Sequence, residues 1–303
     1  MVNGRINNLG GIERYVLNLA KIFSKNNEIH LFANTVNDID FSCNIHEIDC
    51  IKSPKELFEL IFPFASAEQI KRYKLDIIHS QVGAVVNGNV CTAHSCHIAA
   101  VDRLCKERGL LYSFLKNLHP ANRITLLNEK RAYTTYKNII AVSNGLKNEL
   151  IQYYRIPEER INVIPNGVDI EKFAFKNKKE IREQIRMKLN VSSTDILLIN
   201  IANEFGRKGV RYVIDAISKI KNNGIKFLVI GGDDPKQYIN FAKRKGVDSK
   251  VIFVGRISGS EIPKYLIASD IFVFPTEYEA FSLEYVRSCR CGIAYFNDKC
   301  KWI

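Results

Sequence analysis

Residues 195–230 read DILLINIANEFGRKGVRYVIDAISKIKNNGIKFLVI. Asp195–Ile201 and Lys226–Ile230 are short apolar runs of strand length, and Val210–Ile220 between them carries a helical pattern. Strand, helix, strand in that order is the repeating unit of a parallel sheet, because parallel neighbours need a long crossover. Toward the C-terminus the cycle continues through strand-like Val251–Val254 and Ile271–Phe274, with helical patterns at Pro235–Lys245 and Ser260–Ile267. Toward the N-terminus the same alternation stands once more. Ile12, Tyr15, Val16, Leu19 and Phe23 recur at helical spacing from Gly11 to Asn26, and Ile29, Leu31 and Ala33 then alternate. Apolar runs follow at Asp76–His79, Asn89–Ala93 and Asn138–Val142, and the last leads into a helix from Asn144 to Tyr154. The turn-rich segment Ile164-Pro165-Asn166-Gly167-Val168-Asp169 separates the two series. The pattern predicts an α/β protein of two doubly wound domains facing a cleft, residues 1–168 and 169–303.

Composition agrees with that size. The chain has 303 residues, 46% hydrophobic and 25% charged, which excludes a disordered, collagenous or disulfide-stapled chain. Lys plus Arg is 44 against 32 for Asp plus Glu, a net charge of +12 that suits nucleic acid, an anionic membrane or a phosphorylated ligand. The basic residues are scattered without an aromatic-interleaved stripe, so nucleic acid is the weakest of these. The basic stretch Lys176–Lys188 is expected to be a solvated helix face. No run reaches the length of a membrane span, and Met1-Val2-Asn3-Gly4-Arg5 lacks the apolar core of a signal peptide. Eight cysteines without regular spacing fit reduced thiols in a cytoplasmic protein. Cys91, His94, Cys96 and His97 invite a zinc reading, but no second ligand pair stands at finger or ribbon spacing, and no metal is expected.

Four places carry candidate chemistry. Leu9-Gly10-Gly11 precedes the first helix, where bare backbone amides suit an anion. Phe205-Gly206-Arg207-Lys208-Gly209 sets two cations between a strand end and a helix start, which suits a diphosphate, although a solvated basic turn would look the same. Phe274-Pro275-Thr276-Glu277-Tyr278-Glu279-Ala280-Phe281-Ser282-Leu283 follows a strand and opens a helix near Ser282, offering amides to phosphate and Glu279 to sugar hydroxyls. His94 ends the strand Asn89–Ala93 and faces the crevice of an open sheet. His79 occupies a similar place, and a structural histidine is the commoner case for either.

These stretches in this order resemble the family-4 glycosyltransferases with the GT-B architecture. The matching segments are LGGIERYVLNLA (9–20), TAHSCH (92–97), NIIAVSNGLKNEL (138–150), INVIPNGVDIEKF (161–173), GRKGVRYVIDAI (206–217), FVGR (253–256) and YLIASDIFVFPTEYEAFSL (265–283). The resemblance implies transfer of a sugar from a nucleotide-sugar donor, UDP by family frequency, to a glycan or lipid-linked acceptor such as a lipopolysaccharide precursor. It implies retention at the anomeric carbon, no cofactor and no obligatory metal. Gly10 and Gly11 match the loop that meets the donor diphosphate, and Arg207 and Lys208 match the cations that neutralise it. His94 matches a histidine near the transferred sugar. Glu279 matches the first glutamate of a Glu-x7-Glu pair, and Phe281, Ser282 and Leu283 match the turn that cradles phosphate. A GT-B nucleotide-sugar epimerase is the alternative enzyme.

The chain departs from the family at the second glutamate, where Arg287 stands, and an arginine cannot accept a ribose hydroxyl. The following residues, Ser288-Cys289-Arg290-Cys291-Gly292-Ile293-Ala294, lose the family pattern. Skipping one nucleotide in a back-translation from Glu284 yields NMYEAADVGLP, with a glutamate at the place of Arg287. The tail is therefore expected to be out of frame, the C-terminal domain to lack its last strand, and the first strand of the N-terminal domain to survive only as Met1-Val2. A product so clipped is expected to fold poorly and transfer little, an inactive remnant being the second reading of the chain. Finally, GLLYSFLKNL (109–118) places Leu110, Leu111, Phe114, Leu115 and Leu118 on one helical face near Lys106, Arg108, Lys116 and Arg123. Ordinary core packing is the first expectation for that face. The second is an anionic membrane interface, which would make the protein peripheral at the inner face of the cell membrane.

Overall fold

The structure, a computed structural model, describes residues 1–7, 10–37, 39–167, 175–291 and 293–296. The described chain forms two compact units, Met1–Asn166 and one that begins at Gly167. Val168 and Asp169 of the expected junction, and the tail beyond Phe296, lie outside the described residues.

In the N-terminal unit, β1 is Arg5–Ile6, α1 Gly11–Phe23, β2 His30–Ala33, β3 Thr35–Val36 and β4 Asn44–Glu47. Then come α2 Lys55–Ile70, β5 His79–Gln81, β6 Val90–Ala93, α3 His97–Arg108, α4 Leu110–Leu118, α5 Pro120–Thr135, β7 Asn138–Ala141, α6 Asn144–Tyr154 and β8 Ile161–Val163. The strands β5, β6, β7 and β8 pair in parallel in that order, and β2 pairs with β4. Val2 joins the two groups by parallel bridges to Phe32 of β2 and Ser80 of β5. Its N–H donates to His79 O at 2.9 Å, and its carbonyl accepts from Gln81 N at 3.1 Å. The short segment at Met1-Val2 thus holds the central place expected for the first strand, giving the doubly wound order β4–β2–Val2–β5–β6–β7–β8. Val16, Leu17 and Ala20 of α1 pack on Leu31 and Ala33 of β2.

In the C-terminal unit, α7 is Lys178–Lys188, β9 Ile196–Ile201, α8 Val210–Ser218, β10 Ile225–Ile230 and α9 Lys236–Arg244. They are followed by β11 Val251–Gly255, α10 Ile262–Ala268, β12 Ile271–Val273, α11 Leu283–Cys291 and β13 Ala294–Phe296. The sheet is parallel in the order β11-β10-β9-β12-β13. Alternate residues serve opposite faces, as a period of two requires. Leu197, Ile199, Leu228 and Phe272 join the core with Ile181, Ile185 and Leu266 from α7 and α10. Phe227, Val229 and Val273 join the core with Val213, Ile217 and Ala242 from α8 and α9. The fifth strand, β13, comes from the segment expected to have lost its pattern, and it pairs Ile271 with Ala294 and Phe272 with Tyr295.

Three expectations need correction. The basic stretch in α7 is not wholly solvated, because Arg186 is 4% exposed. Its guanidinium donates to Ala268 O, Ser192 O and Asp195 O and to Asp270 Oδ2 at 2.7 Å, while Arg182 holds Asp270 Oδ1 at 2.5 Å. Five donors in a fixed fork let arginine satisfy buried carbonyls that a lysine could not. The apolar face of α4 does not pack in the core: Leu110 is 91% exposed, Phe114 63%, Leu115 59% and Leu118 49%. Last, β5 starts at His79 rather than ending there, so Gln81 holds the carboxyl end of that strand.

Candidate active site

In an open parallel sheet, ligands bind beyond the carboxyl ends of the strands, where the strand order reverses. In the C-terminal unit that point lies between β9 and β12. The loop after β9 carries Arg207 and Lys208; the loop after β12 carries Glu279 and leads to α11. Topology therefore brings together residues about 70 positions apart.

The two loops are fastened by backbone. Thr276 Oγ1 and Glu277 N both donate to Arg207 O, at 3.2 and 2.9 Å. Fully buried Asn200, near the end of β9, donates through Nδ2 to Lys208 O at 3.2 Å and Val273 O at 2.8 Å. Gly209 has φ +76°, and a Cβ there would fall 2.0 Å from Pro275 O, so a side chain would force the loops apart.

The side chains complete a compact charge network. Lys208 Nζ donates to Glu279 Oε2, with the two side chains 13% and 14% exposed. The ammonium also sits 4.5 Å above the Phe274 ring. Burial pulls the Lys208 ammonium below the usual lysine range, and the Glu279 carboxylate opposes that shift. Arg207 donates to Tyr278 O at 2.8 Å and to Glu204 Oε2 at 2.8 Å. Phe281 and Ser282 lead into α11, whose helical residues begin at Leu283, and Val286 N donates to Ser282 O at 3.3 Å. The first-turn amides of such a helix have no partner within it and favour an anion. The structure thus brings Arg207, Lys208 and Glu279 together, and the turn Phe281-Ser282-Leu283 begins two residues after Glu279. Arg287 lies in α11, part-buried.

In the N-terminal unit the strand order reverses between Val2 and β5. Gly10 is the residue before α1 and is extended, with φ −103° and ψ 166°. The Glu13 carboxylate occupies the space a Cβ on Gly10 would need, while Gly11 is open on that side. Leu9 of this motif lies outside the described residues. His94 follows β6 and donates through Nε2 to Gln81 Oε1 at 2.8 Å. The Tyr15 ring meets it edge-on at 5.0 Å. Burial, then the neighbouring His79, pull the His94 imidazole down to about 4, so it is neutral at pH 7. His79 is buried, its Nε2 2.7 Å from Thr92 Oγ1, and likewise pulled down to about 4 by burial.

The residues of the zinc reading have other engagements. His97 Nε2 is 2.8 Å from Asn122 Oδ1, and the Cys91 and Cys96 thiols are buried and pushed up by burial. Among the described residues no group of three His, Cys, Asp or Glu could hold a metal ion. Sequence reading also missed Glu129 of α5. It is 3% exposed and accepts from His97 N at 2.7 Å and Tyr154 OH at 2.8 Å, tying down the loop behind His94. Burial pushes its carboxyl up to about 7.

Cations and a carboxylate stand where the parallel sheet reverses its order, the place where open α/β sheets bind their ligands. The chain belongs to the glycosyltransferases of the GT-B fold. The model of Glycosyltransferase Family 4 matches residues 9–172, and that of Glycosyl transferases group 1 matches residues 181–296, through the whole of α11 and β13. It is 23% identical over 201 residues to lipopolysaccharide glucosyltransferase WaaG of Escherichia coli (strain K12), covering 65% of this chain and 52% of the relative. The chain spans about half the length of the first curated relatives it matches. The crystal structure of WaaG, a glycosyltransferase involved in lipopolysaccharide biosynthesis, superposes with a TM-score of 0.84 at 18% identity, covering 97% of this chain and 79% of that one. Anabaena Alr3699/HepE in complex with UDP-glucose gives 0.66 at 16% identity, covering 98% and 80%.

Proposed function

We propose that this chain transfers a hexosyl unit from a UDP-sugar to a glycan or glycolipid acceptor, with retention at the anomeric carbon. The observation that carries the reading is the meeting of Arg207, Lys208 and Glu279 beside the start of α11. Breaking the sugar–phosphate bond leaves positive charge on the ring and negative charge on the diphosphate. Fixed cations and amides aimed at the phosphates stabilise that state more than the ground state. Arg207, Lys208 and the turn Phe281-Ser282-Leu283 receive the departing diphosphate; the reading assigns this role to no metal. Glu279 accepts hydrogen bonds from sugar hydroxyls. In the N-terminal unit, Gly10 and Gly11 serve the diphosphate and His94 the transferred sugar.

Retention follows a front-face course. The bond from the anomeric carbon to the phosphate oxygen breaks, the acceptor oxygen bonds to the same face, and the departing phosphate takes the acceptor proton. UDP is chosen because HepE was crystallised with UDP-glucose, and a lipopolysaccharide-type acceptor because WaaG is named for one. The test is UDP release from UDP-hexoses with and without added lipid-linked acceptor, with the product anomer read by NMR. Lys208→Ala should lower kcat by at least about 100-fold. Donor binding and turnover unchanged in Lys208→Ala would refute the reading.

The exposed face of α4 supports peripheral contact with an anionic membrane. No helix among the described residues is long and apolar enough to cross one. Leu110, Phe114, Leu115 and Leu118 present apolar surface with Lys106, Arg108, Lys116 and Arg123 on or near the same helix, the charge complement of acidic headgroups. Phe114→Asp with Leu115→Asp should abolish co-sedimentation with phosphatidylglycerol vesicles. Equal sedimentation of the wild-type chain with neutral and anionic vesicles would overturn this part.

A further inference from the structure

Gln81 is a polar side chain with 3% exposure at the carboxyl end of a strand. Its Oε1 lies 2.8 Å from His94 Nε2, and its Nε2 has no hydrogen-bond partner among the described residues. An orphaned buried donor costs stability, so stability does not account for an amide at this place. We infer that Gln81 is a positioning residue that fixes the tautomer and orientation of His94. This rests on the assignment of His94 to the transferred sugar.

The argument is one of donors and acceptors. A neutral imidazole carries one N–H. A carbonyl oxygen accepts only, so the contact with Gln81 Oε1 puts that hydrogen on Nε2. Nδ1 is then the lone-pair nitrogen, an acceptor for a sugar hydroxyl. Gln81 and Thr92 stand opposite each other in the parallel pairing of β5 and β6, which sets the amide near the end of β6 and within reach of His94, which follows it. The ring is held from one further side. Tyr15 of α1 packs edge-on at 5.0 Å, and its OH is 3.4 Å from Thr92 Oγ1. Tyr15 and His79 are the titratable groups set against His94; both are themselves tied to Thr92. The amide supplies an acceptor without charge. A carboxylate in its place would raise the imidazole into the titrating range and protonate the nitrogen meant to accept.

The experiment has one arm on the wild-type chain and two on variants. In wild-type protein labelled with 15N-histidine, long-range proton–nitrogen correlation should show His94 as the Nε2–H tautomer at pH 7. Gln81→Met should give a tautomer mixture and lower kcat about 10-fold, the worth of one hydrogen bond, with the donor KM within about 2-fold. Gln81→Glu should add an acid-side fall to the pH–rate profile that the wild type lacks. A wild-type Nδ1–H tautomer overturns the inference whatever the activity. So does a Gln81→Met variant with unchanged tautomer and kcat. The NMR arm needs no substrate, so a chain that turns over no sugar refutes the proposed function and leaves this inference to the spectrum.

Discussion

Replacing Glu279 by glutamine separates two roles that usually travel together. Lys208 and Glu279 form a nearly buried pair, with side chains 13% and 14% exposed. Removing one partner of such a pair leaves an uncompensated charge and costs about 3–5 kcal/mol. Glu279→Gln should therefore lower the stability of the free protein by about 3 kcal/mol, the low end, since the amide still offers Lys208 an acceptor. A bound diphosphate changes the comparison. In the wild-type chain the phosphate must draw Lys208 from the carboxylate, so one charge-assisted hydrogen bond is exchanged rather than gained. In the variant the phosphate is the first anion the ammonium meets. The bond retained is worth about 1.5 kcal/mol, which is about tenfold in Kd. The variant should bind UDP about tenfold more tightly than wild type, although it transfers sugar more slowly. Isothermal titration with UDP at fixed ionic strength measures the gain in binding, and denaturant unfolding without UDP measures the loss of stability. Weaker UDP binding by Glu279→Gln would refute the idea that carboxylate and diphosphate compete for Lys208.

Other substitutions probe the scaffold. Gly209→Ala places a Cβ 2.0 Å from Pro275 O at φ +76°, and should lower stability by at least about 2 kcal/mol in urea unfolding. Arg186→Met strips donors from Ala268 O, Ser192 O and Asp195 O and leaves Asp270 with Arg182 as its remaining cation; a loss of about 3 kcal/mol is expected by the same assay. Glu129→Gln tests a proton linkage. The folded carboxyl holds its proton to about pH 7, against 4.5 when unexposed to the fold, so wild-type stability should fall by about 3 kcal/mol as pH rises through that window. His79 and His94, lowered from 6.5 to about 4, tilt the curve the opposite way, gaining stability as pH rises. The difference between wild type and Glu129→Gln across pH 4.5–7 isolates the carboxyl, and a flat difference would reject the assignment.

Much of the C-terminal unit was legible because its strands are apolar on both faces. Leu197, Phe227 and Phe272 announce buried parallel strands without ambiguity. Arg207, Lys208 and Glu279 were legible as residues at strand ends, but the bond between Lys208 and Glu279 was not, since pairing over 71 positions depends on strand order. The strand β5 was misplaced for a physical reason. His79, Ser80 and Gln81 are all buried but all polar, so hydrophobic pattern drew the strand toward Ile77 and Ile78 and hid Gln81. Periodicity found the apolar face of α4 but could not say whether protein covers it. Charge pattern placed Arg186 in solvent because a lone sequence does not reveal the carbonyls at the end of α10 that await a donor.

The Gly209–Pro275 contact has a consequence for how sugar preference could change. With no room for a side chain between the two loops, and with Asn200 stapling the first of them to the end of β12, the cations and the carboxylate are set in one casting. Adaptation to a differently shaped hexose cannot shift one against the other by small steps. New preferences must be written around that casting, in residues that border the ring without being anchored to it.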